Sequence, residues 1–389
     1  MEPGRLITAL LVGILLTLIV GRLPRLGRAG IPLRLLIGAG AAALIIWAVP
    51  SGYLAYLVGL VIMASIYSVF SLGLNVHWGY TGLFNIGVAG FFAVGAFTSA
   101  LFTTAMPTGI MARYTFQAFG LEQPFLVGVV AGALVSGIIA FFIGFITLRL
   151  REDYLAIATL GIAETIRLVF QNERWLANGP QPLRGIPQPL HCLVEDPPCG
   201  WLPGPLQSFF ALFEPRDYNY IYLVIVALFV VLIYWVLERM IRSPWGRVLR
   251  GIREDEPATA MSGKDIFRFK MQSLVLGAVI MGIGGALYAH YMISISYGDF
   301  IPLYGTFLIW VMLMLGGSGN NRGAILGAFV IWGVWVGTTF LTDYLPYMLK
   351  ARAPYFRFLI VGILLEVIIL LRPQGLLGEV RKVSRMLKE

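Results

Sequence analysis

The sequence predicts an all-α integral membrane protein: a polytopic helical bundle of about 11 spans with one broken or re-entrant segment and a short cytoplasmic coupling helix. Three observations carry this reading. Hydrophobic residues make up 58% of the 389 and charged residues 13%, against about 25% charged in a soluble domain. Mean hydropathy is +0.81. Apolar runs long enough to cross a bilayer recur along the chain, and most Lys and Arg sit in the short segments between them. That placement is the pattern of membrane topology. It excludes nucleic acid as a partner, although the pI is near 9.6.

A hydrocarbon core about 30 Å thick takes about 20 helical residues. The candidate spans are 6–20, 31–49, 52–76, 81–104, 123–148, 154–170, 218–240, 271–293, 302–315, 323–345 and 355–371. The runs 6–20, 154–170 and 302–315 are short and open to tilting, breakage or re-entry. Residues 1–50 form N-terminal accessory spans. Residues 51–379 form a core with an external loop at 171–217 and a cytoplasmic coupling loop at 241–270, and 380–389 form a basic tail.

With the tail inside, alternation places 20 Lys and Arg on the inner side and 8 on the outer. The expected topology is N-terminus outside and C-terminus cytoplasmic. Four arginines (Arg22, Arg25, Arg28, Arg34) follow the first run and no A-x-A site precedes them. The run therefore reads as a span, not a removed signal peptide.

The two cysteines, Cys192 and Cys199, both lie in the loop 171–217. They are too few for a disulfide scaffold or a Cys-based zinc site. In an oxidising exterior they are expected to pair with each other, two free thiols being the alternative.

No G-x-x-x-x-G-K-[ST] phosphate loop occurs; Gly263-Lys264 is followed by Asp265. No H-E-x-x-H and no nucleophile elbow occur either. His77, His191 and His290 are scattered and read as interfacial or hydrogen-bonded residues. The expectation is no catalytic residue, no metal and no directly bound cofactor.

Charges inside spans are costly and are functional candidates. Arg34 lies near a span end and can snorkel. Glu366 lies six residues before Arg372 and is given no role. Glu164 and Arg167, three apart, share a helix face and are expected to neutralise each other; substrate contact is the second reading. Gly128/Gly132, Gly323/Gly327 and Gly333/Gly337 have the four-residue spacing that lets helix backbones approach in lipid.

The stretch Trp78 to Gly87 is rich in glycine and polar groups between two apolar runs. Irregular backbone survives at membrane depth only against protein or a water-filled cavity, and discontinuous helices line transport pathways. Asn75, Gly79, Gly82, Asn85 and Gly87, with Glu164 and Arg167, are the pathway candidates. An ordinary short turn remains the alternative.

The loop 239–270 is long and densely charged. Glu256 can cap a helix that begins with Pro257, and Gly263 can close it. The result is a short helix bearing Ala258, Ala260 and Met261, suited to docking in a partner's groove. A solvated loop is the alternative.

The loop, with Arg253-Glu254-Asp255-Glu256 ahead of its small residues, resembles the coupling segment of ABC-importer permeases of the branched-chain amino acid type, LivM-like. Ser71-Leu72-Gly73-Leu74-Asn75 through Gly95-Ala96-Phe97 is similar to that family's first core helix and glycine-rich break. Leu148-Arg149-Leu150-Arg151-Glu152-Asp153-Tyr154-Leu155 is similar to another family block, with Glu152 where glycine is usual. Gly285 to His290, Leu315-Gly316-Gly317-Ser318-Gly319 and Arg372 to Gly378 agree as well. The resemblance runs from about residue 55 to 379 in order. It departs at Asn320-Asn321-Arg322, which is more polar than the norm, and in the long loop 171–217.

The resemblance implies a transport subunit of a bacterial inner (cytoplasmic) membrane importer. It implies a second homologous permease, two ATP-binding-cassette ATPase subunits carrying ATP and Mg, and an external (periplasmic) substrate-binding protein. The substrate would be a branched-chain or other neutral amino acid, with urea or a short amide as alternatives. The residues implied for coupling are Arg253, Glu254, Asp255, Glu256, Ala258, Ala260, Met261 and Gly263. Two readings compete. A stand-alone ion-coupled carrier needs mid-membrane acids, which are few here. A membrane-embedded enzyme needs a convergent catalytic set, which the sequence lacks.

Overall fold

The computed structural model describes residues 51–109, 112, 115–194, 217–343 and 352–379. The expected spans 6–20 and 31–49 and the basic tail 380–389 lie outside the described residues. So do Cys199 and part of the external loop. The described residues of 51–62, 190–194 and 217–227 belong to one compact unit, and those of 63–189 and 228–379 to another.

The described residues are mostly helical. Helix α1 (Ser51–Leu74) runs into a π-helical turn at Asn75–Tyr80. Then come α2 (Val88–Thr103), α3 (Phe125–Thr147), α4 (Glu152–Asn172) and the one-turn α5 (Arg174–Ala177). Helix α6 (Tyr218–Arg242) is followed by the short α7 (Pro244–Glu254) and α8 (Glu256–Met261) and by the long α9 (Ile266–Met292). A π-helical turn at Leu303–Phe307 leads into α10 (Leu308–Gly316), and α11 (Asn321–Asp343) and α12 (Ala353–Leu371) complete the set.

Among the described residues, five helices are long and apolar enough to cross a membrane: Ala55–Tyr80, Phe125–Thr147, Tyr218–Arg242, Ile266–Met292 and Asn321–Thr339. The expected span 81–104 is shorter than the sequence suggested, because 82–87 is irregular and α2 starts only at Val88. The run 302–315 gives a π turn and a nine-residue helix, about 21 Å of rise and short of the bilayer core. The run 154–170 lies within a continuous 21-residue helix. The all-α expectation needs one small correction: Leu183–Arg184 pairs antiparallel with Ser294–Ile295, Leu183 opposite Ile295. Loop backbone that is buried needs hydrogen-bond partners, and these two segments supply each other's.

Burial separates the central helices from the peripheral ones. In the most apolar window, Ala55–Tyr80 and Ile266–Met292 are each 78% buried, whereas Phe125–Thr147 and Tyr218–Arg242 are 39% buried. Helix α3 shows the reason in its own sequence. Leu126, Val130, Leu134, Ile138 and Phe142 recur every fourth residue and are exposed, an apolar stripe that suits lipid. Its other face is Gly128, Gly132, Ser136, Gly137, Ala140 and Gly144, all buried.

That small-residue face brings three helices into backbone contact. A side chain at Gly132 would lie 2.7 Å from the Gly95 carbonyl oxygen of α2, and one at Gly282 of α9 would lie 2.8 Å from the Gly132 carbonyl oxygen. One at Gly95 would run into Gly282. The expected close approach at Gly128/Gly132 and Gly323/Gly327 is thus present; at Gly323 the obstacle is the Gly316 carbonyl, 2.6 Å away. It is absent at Gly333/Gly337, where added side chains would meet open space. The spacing alone did not show which face of α11 those residues occupy.

In the unit that holds 190–194 and 217–227, Leu193 packs against Cys192 and Ile221, and the His191 ring lies 5.3 Å from that of Tyr218. Cys192 is disulfide-bonded.

Candidate functional site

The site is built where α1 ends. At Asn75–Tyr80 the helix widens into a π turn, a form concentrated at functional sites. Gly79 is required there, because any side chain would run into the Asn75 amide oxygen. The turn then breaks. The Leu83 amide, which in an unbroken helix would bond the Gly79 carbonyl, bonds His77 at 2.9 Å instead. Gly82 takes φ +77, the left-handed region in which glycine avoids strain. The segment 82–87 is held by side chains. Asn85 Oδ1 accepts from the Gly87 amide at 2.8 Å, and Asn85 Nδ2 lies 3.0 Å from His77 Nδ1. Thr159 Oγ1 of α4 accepts from the Ile86 amide at 3.1 Å, and Trp310 Nε1 donates to the Asn85 carbonyl at 3.1 Å. This is a break fixed by side-chain bonds, with Leu83, Asn85 and Gly87 buried and the residues between them partly buried.

Asn75 and Asn85 are both fully buried. Asn75 Nδ2 donates to Asn321 Oδ1 at 3.0 Å, and the Gly319 amide donates to Asn75 Oδ1 at 2.9 Å. Tyr80 Oη donates to the same Asn321 oxygen at 3.0 Å. Asn321 Nδ2 reaches Glu238 of α6 at 3.3 Å, and Glu238 holds Arg242 at 2.6 Å. Five of the pathway candidates, Asn75, Gly79, Gly82, Asn85 and Gly87, are therefore brought together at one break. The other two are not: Glu164 and Arg167 form their own ion pair on α4 at 2.5 Å, with the Arg167 guanidinium 5.7 Å from the centre of the Tyr297 ring. The neutralising role expected of that pair is what the geometry displays.

Sequence reasoning passed over His77, Tyr80, Thr159, Trp310 and Asn321. His77 stands one residue before the stretch Trp78 to Gly87 and reads, alone, as an interfacial or hydrogen-bonded histidine. Its Nε2 lies 2.9 Å from the Leu274 carbonyl. His290 is likewise satisfied, by Ser99 Oγ at 3.0 Å and the Pro187 carbonyl at 2.7 Å. Asn321 was seen as a departure from a family pattern. The signal that could have promoted it is a polar pair at the start of an apolar run, where one residue must face inward.

The residues of the charged loop divide into two sets. Helix α8 presents Ala258, Ala260 and Met261 outward, and Met261 is 89% exposed. Its cap is Asp255, not Glu256: Asp255 Oδ1 accepts from the Ala258 amide at 2.9 Å. Asp255 has the extended backbone that a cap requires. Glu256 already lies in the first turn, and its carboxylate instead takes Lys270 Nζ at 2.6 Å. Gly263 closes the helix as expected, at φ +79, with its amide on the Ala260 carbonyl at 2.9 Å.

Arg253 turns the other way, inward. Its Nη1 donates to the Gly79 carbonyl, and its Nη2 reaches Glu379 at 2.7 Å and Glu254 at 2.6 Å. Burial works against the charge, but the bonds to Glu254 and Glu379 outweigh it and raise the guanidinium pKa above its ordinary value. A separate cleft of about 790 Å³ lies between 104–108, 115–117 and 174–185, with Gln117, Arg174, Asn178 and Arg184 in its wall. Among the described residues, no group of three or more His, Cys, Asp or Glu could hold a metal ion.

Long apolar helices, a fixed break after the first of them and a small exposed helix on the charged loop are the features of a membrane permease component. The chain belongs to the family described as branched-chain amino acid transport system, permease component, which matches residues 56–368. It is 33% identical over 325 residues to the high-affinity branched-chain amino acid transport system permease protein LivM of Salmonella typhimurium, covering 82% of this chain and 69% of that one. It is 27% identical over 347 residues to the probable LivM permease of Methanocaldococcus jannaschii, covering 81% and 91%. The nucleoside ABC transporter permease protein NupC of Lactococcus lactis is a more distant relative, 23% identical over 269 residues, covering 68% and 76%. No solved structure matches the chain.

Proposed function

We propose that this chain is the membrane-spanning subunit of an ATP-driven importer of branched-chain or other neutral amino acids, in a bacterial inner membrane. It catalyses no reaction itself. Two separate ATPase subunits bind ATP and Mg, a second permease completes the pathway, and an external protein delivers substrate. The cleft at Arg174 and Arg184 lies on segments read as outside, where delivery takes place.

The observation that carries the coupling part is helix α8. It is capped at both ends, and its small and flexible apolar residues, Ala258, Ala260 and Met261, are exposed on a loop read as cytoplasmic. A single rigid turn of this kind suits a groove on an ATPase subunit. The test is Ala260→Asp, which would bury a charge in that groove. ATPase subunits should be lost from the purified complex, or hydrolysis should cease to respond to substrate. Unchanged uptake and association would move the stand-alone carrier to first place.

A second reading of the cargo is favoured by the nucleoside permease among the relatives, and urea or a short amide is a third. Uptake of labelled leucine, guanosine and urea by cells expressing the whole system decides among them; leucine is expected.

A further inference from the structure

Three segments distant in sequence meet at one guanidinium. The first is the break after α1. Because Leu83 bonds His77, the break leaves the Gly79 carbonyl without its helical partner, and Arg253 Nη1 supplies the missing donor. A cation at the carbonyl end of a helix is also favoured by the helix dipole. Arg253 thus caps the first core helix from a different part of the chain. Its stem lies along the break, where a side chain at Gly82 would be 3.3 Å from Arg253 Cγ.

The second segment is the coupling loop itself. Arg253 is in the last turn of α7 (Pro244–Glu254) and precedes Asp255, the cap of α8, by two residues. The third is the end of the core. Glu379 takes Arg253 Nη2 at 2.7 Å, and its other oxygen lies 3.4 Å from Arg250 Nε. The residues before Glu379 are pinned by backbone bonds, Leu376 to Leu315 at 2.8 Å and Leu377 to Gly316 at 2.9 Å. Asn320 Nδ2 adds a bond to the Leu377 carbonyl at 3.1 Å. Glu379 is therefore an anchored anion, unlike the exposed, mobile ion pairs that contribute little. The Arg253 side chain is 23% exposed and Glu379 30%.

We propose that Arg253 and Glu379 are positioning residues of the transport cycle. They form a relay that carries movement of α8 directly to the helix break at 79–87, in addition to the route through α6 and α9 at the loop's two ends. The proposal rests on the docking of α8 described above. When α8 is displaced as a unit, the guanidinium two residues before its cap moves with it. Either the Gly79 carbonyl follows or it loses its donor. Glu379 fixes the guanidinium against the clamped C-terminal segment, so that the displacement has a defined direction.

The experiment uses the complete complex in proteoliposomes and compares Arg253→Gln, Arg253→Lys, Glu379→Gln and the double variant Arg253→Gln/Glu379→Gln. The readouts are co-purifying ATPase subunits, ATP hydrolysis and amino-acid uptake. With Arg253→Gln the ATPase subunits should remain bound while uptake per ATP hydrolysed falls about tenfold, the scale of one lost hydrogen bond to a charged group. Arg253→Lys keeps the charge but can serve only one of Gly79 and Glu379 well, and should fall between. Glu379→Gln should uncouple less than Arg253→Gln, and the double variant no further, because the pair acts as one unit. Uptake per ATP unchanged in Arg253→Gln overturns the relay. So does a loss of uptake that tracks the loss of assembled complex across all variants, which marks a merely structural role. Glu379→Gln, at the edge of the core, gives a reading if Arg253→Gln fails to assemble. Failure of the docking itself is read separately, as Ala260→Asp leaving the ATPase subunits bound and substrate-responsive.

Discussion

The side-chain amide of Asn75 donates to the amide oxygen of Asn321 at 3.0 Å, joining residues 246 positions apart in the chain. Both are essentially buried, and Tyr80 shares the same acceptor. Replacing Asn321 with Leu leaves two buried donors unpaired, at a cost of about 1–3 kcal/mol for each. Asn321→Leu should lower the melting temperature of the purified protein clearly more than Arg322→Leu, whose side chain is exposed and bonds Tyr234 at 3.0 Å. Equal melting temperatures for the two would refute the role given to this pair.

The meeting of Gly95, Gly132 and Gly282 makes a second prediction. Any of the three changed to Leu forces backbones apart, and overpacking typically costs about 1–3 kcal/mol even where side chains can shift. Here the obstacles include a backbone carbonyl oxygen at each of the three. Gly132→Leu should abolish folded protein, whereas Gly333→Leu, which faces open space, should leave the chain's own fold unchanged. Size-exclusion profiles of the two in detergent decide it.

That contrast shows how much the residues revealed in advance. Apolar runs gave the helices, because length and hydropathy are local properties. The run 81–104 misled, because hydropathy does not register that Gly82 and Asn85 interrupt the helix with backbone and side-chain bonds. The spacing of Gly128/Gly132 and Gly333/Gly337 is the same, and only tertiary contact separates a packed face from an open one. Five residues of the break were legible as a cluster of glycine and asparagine. Thr159 and Glu379 were not, since each joins the site from a remote segment with no local mark; Asn321 carried a mark, its polarity at the start of an apolar run, but nothing local tied it to the break. The segment 256–261 was legible as a helix, while the inward-facing Arg253 before it was not distinguished from the helix's outward-facing alanines.

Orientation gives the third prediction. The loop carrying α8 should be cytoplasmic and the loop 171–217 outside, from the distribution of Lys and Arg. Cysteine replacements Ser262→Cys and Ser208→Cys, each made with both native cysteines changed to Ser, should react differently with an impermeant reagent added to intact cells. Ser208→Cys should be labelled and Ser262→Cys should not. The reverse pattern would invert the topology.

The fourth concerns Cys192 and Cys199. We expect them to pair with each other, closing a short external loop that contributes roughly 2–3 kcal/mol of constraint. The intact unreduced protein should be lighter than the reduced protein by two hydrogens. Two thiols available for alkylation in the denatured, unreduced protein would exclude the bridge.

The last prediction tests the break as part of the pathway. At Gly87 a side chain would lie 2.7 Å from the Thr159 carbonyl oxygen and 3.1 Å from the Asn85 amide oxygen. The Asn85 oxygen also accepts from the Gly87 amide, and the hydroxyl of the same Thr159 accepts from the Ile86 amide, so even Gly87→Ala displaces the segment by a few tenths of an ångström. Gly87→Leu displaces it further. If the break lines the route of the substrate, uptake should fall in that order while ATPase subunits and the second permease still co-purify. Thr159→Val removes the hydroxyl that accepts from the Ile86 amide without adding bulk, and should reduce uptake less than Gly87→Leu. The order is what matters, because a general loss of stability would reduce assembly and uptake together. Full uptake by Gly87→Leu in an assembled complex would leave 82–87 as a connection between two helices and place the pathway elsewhere.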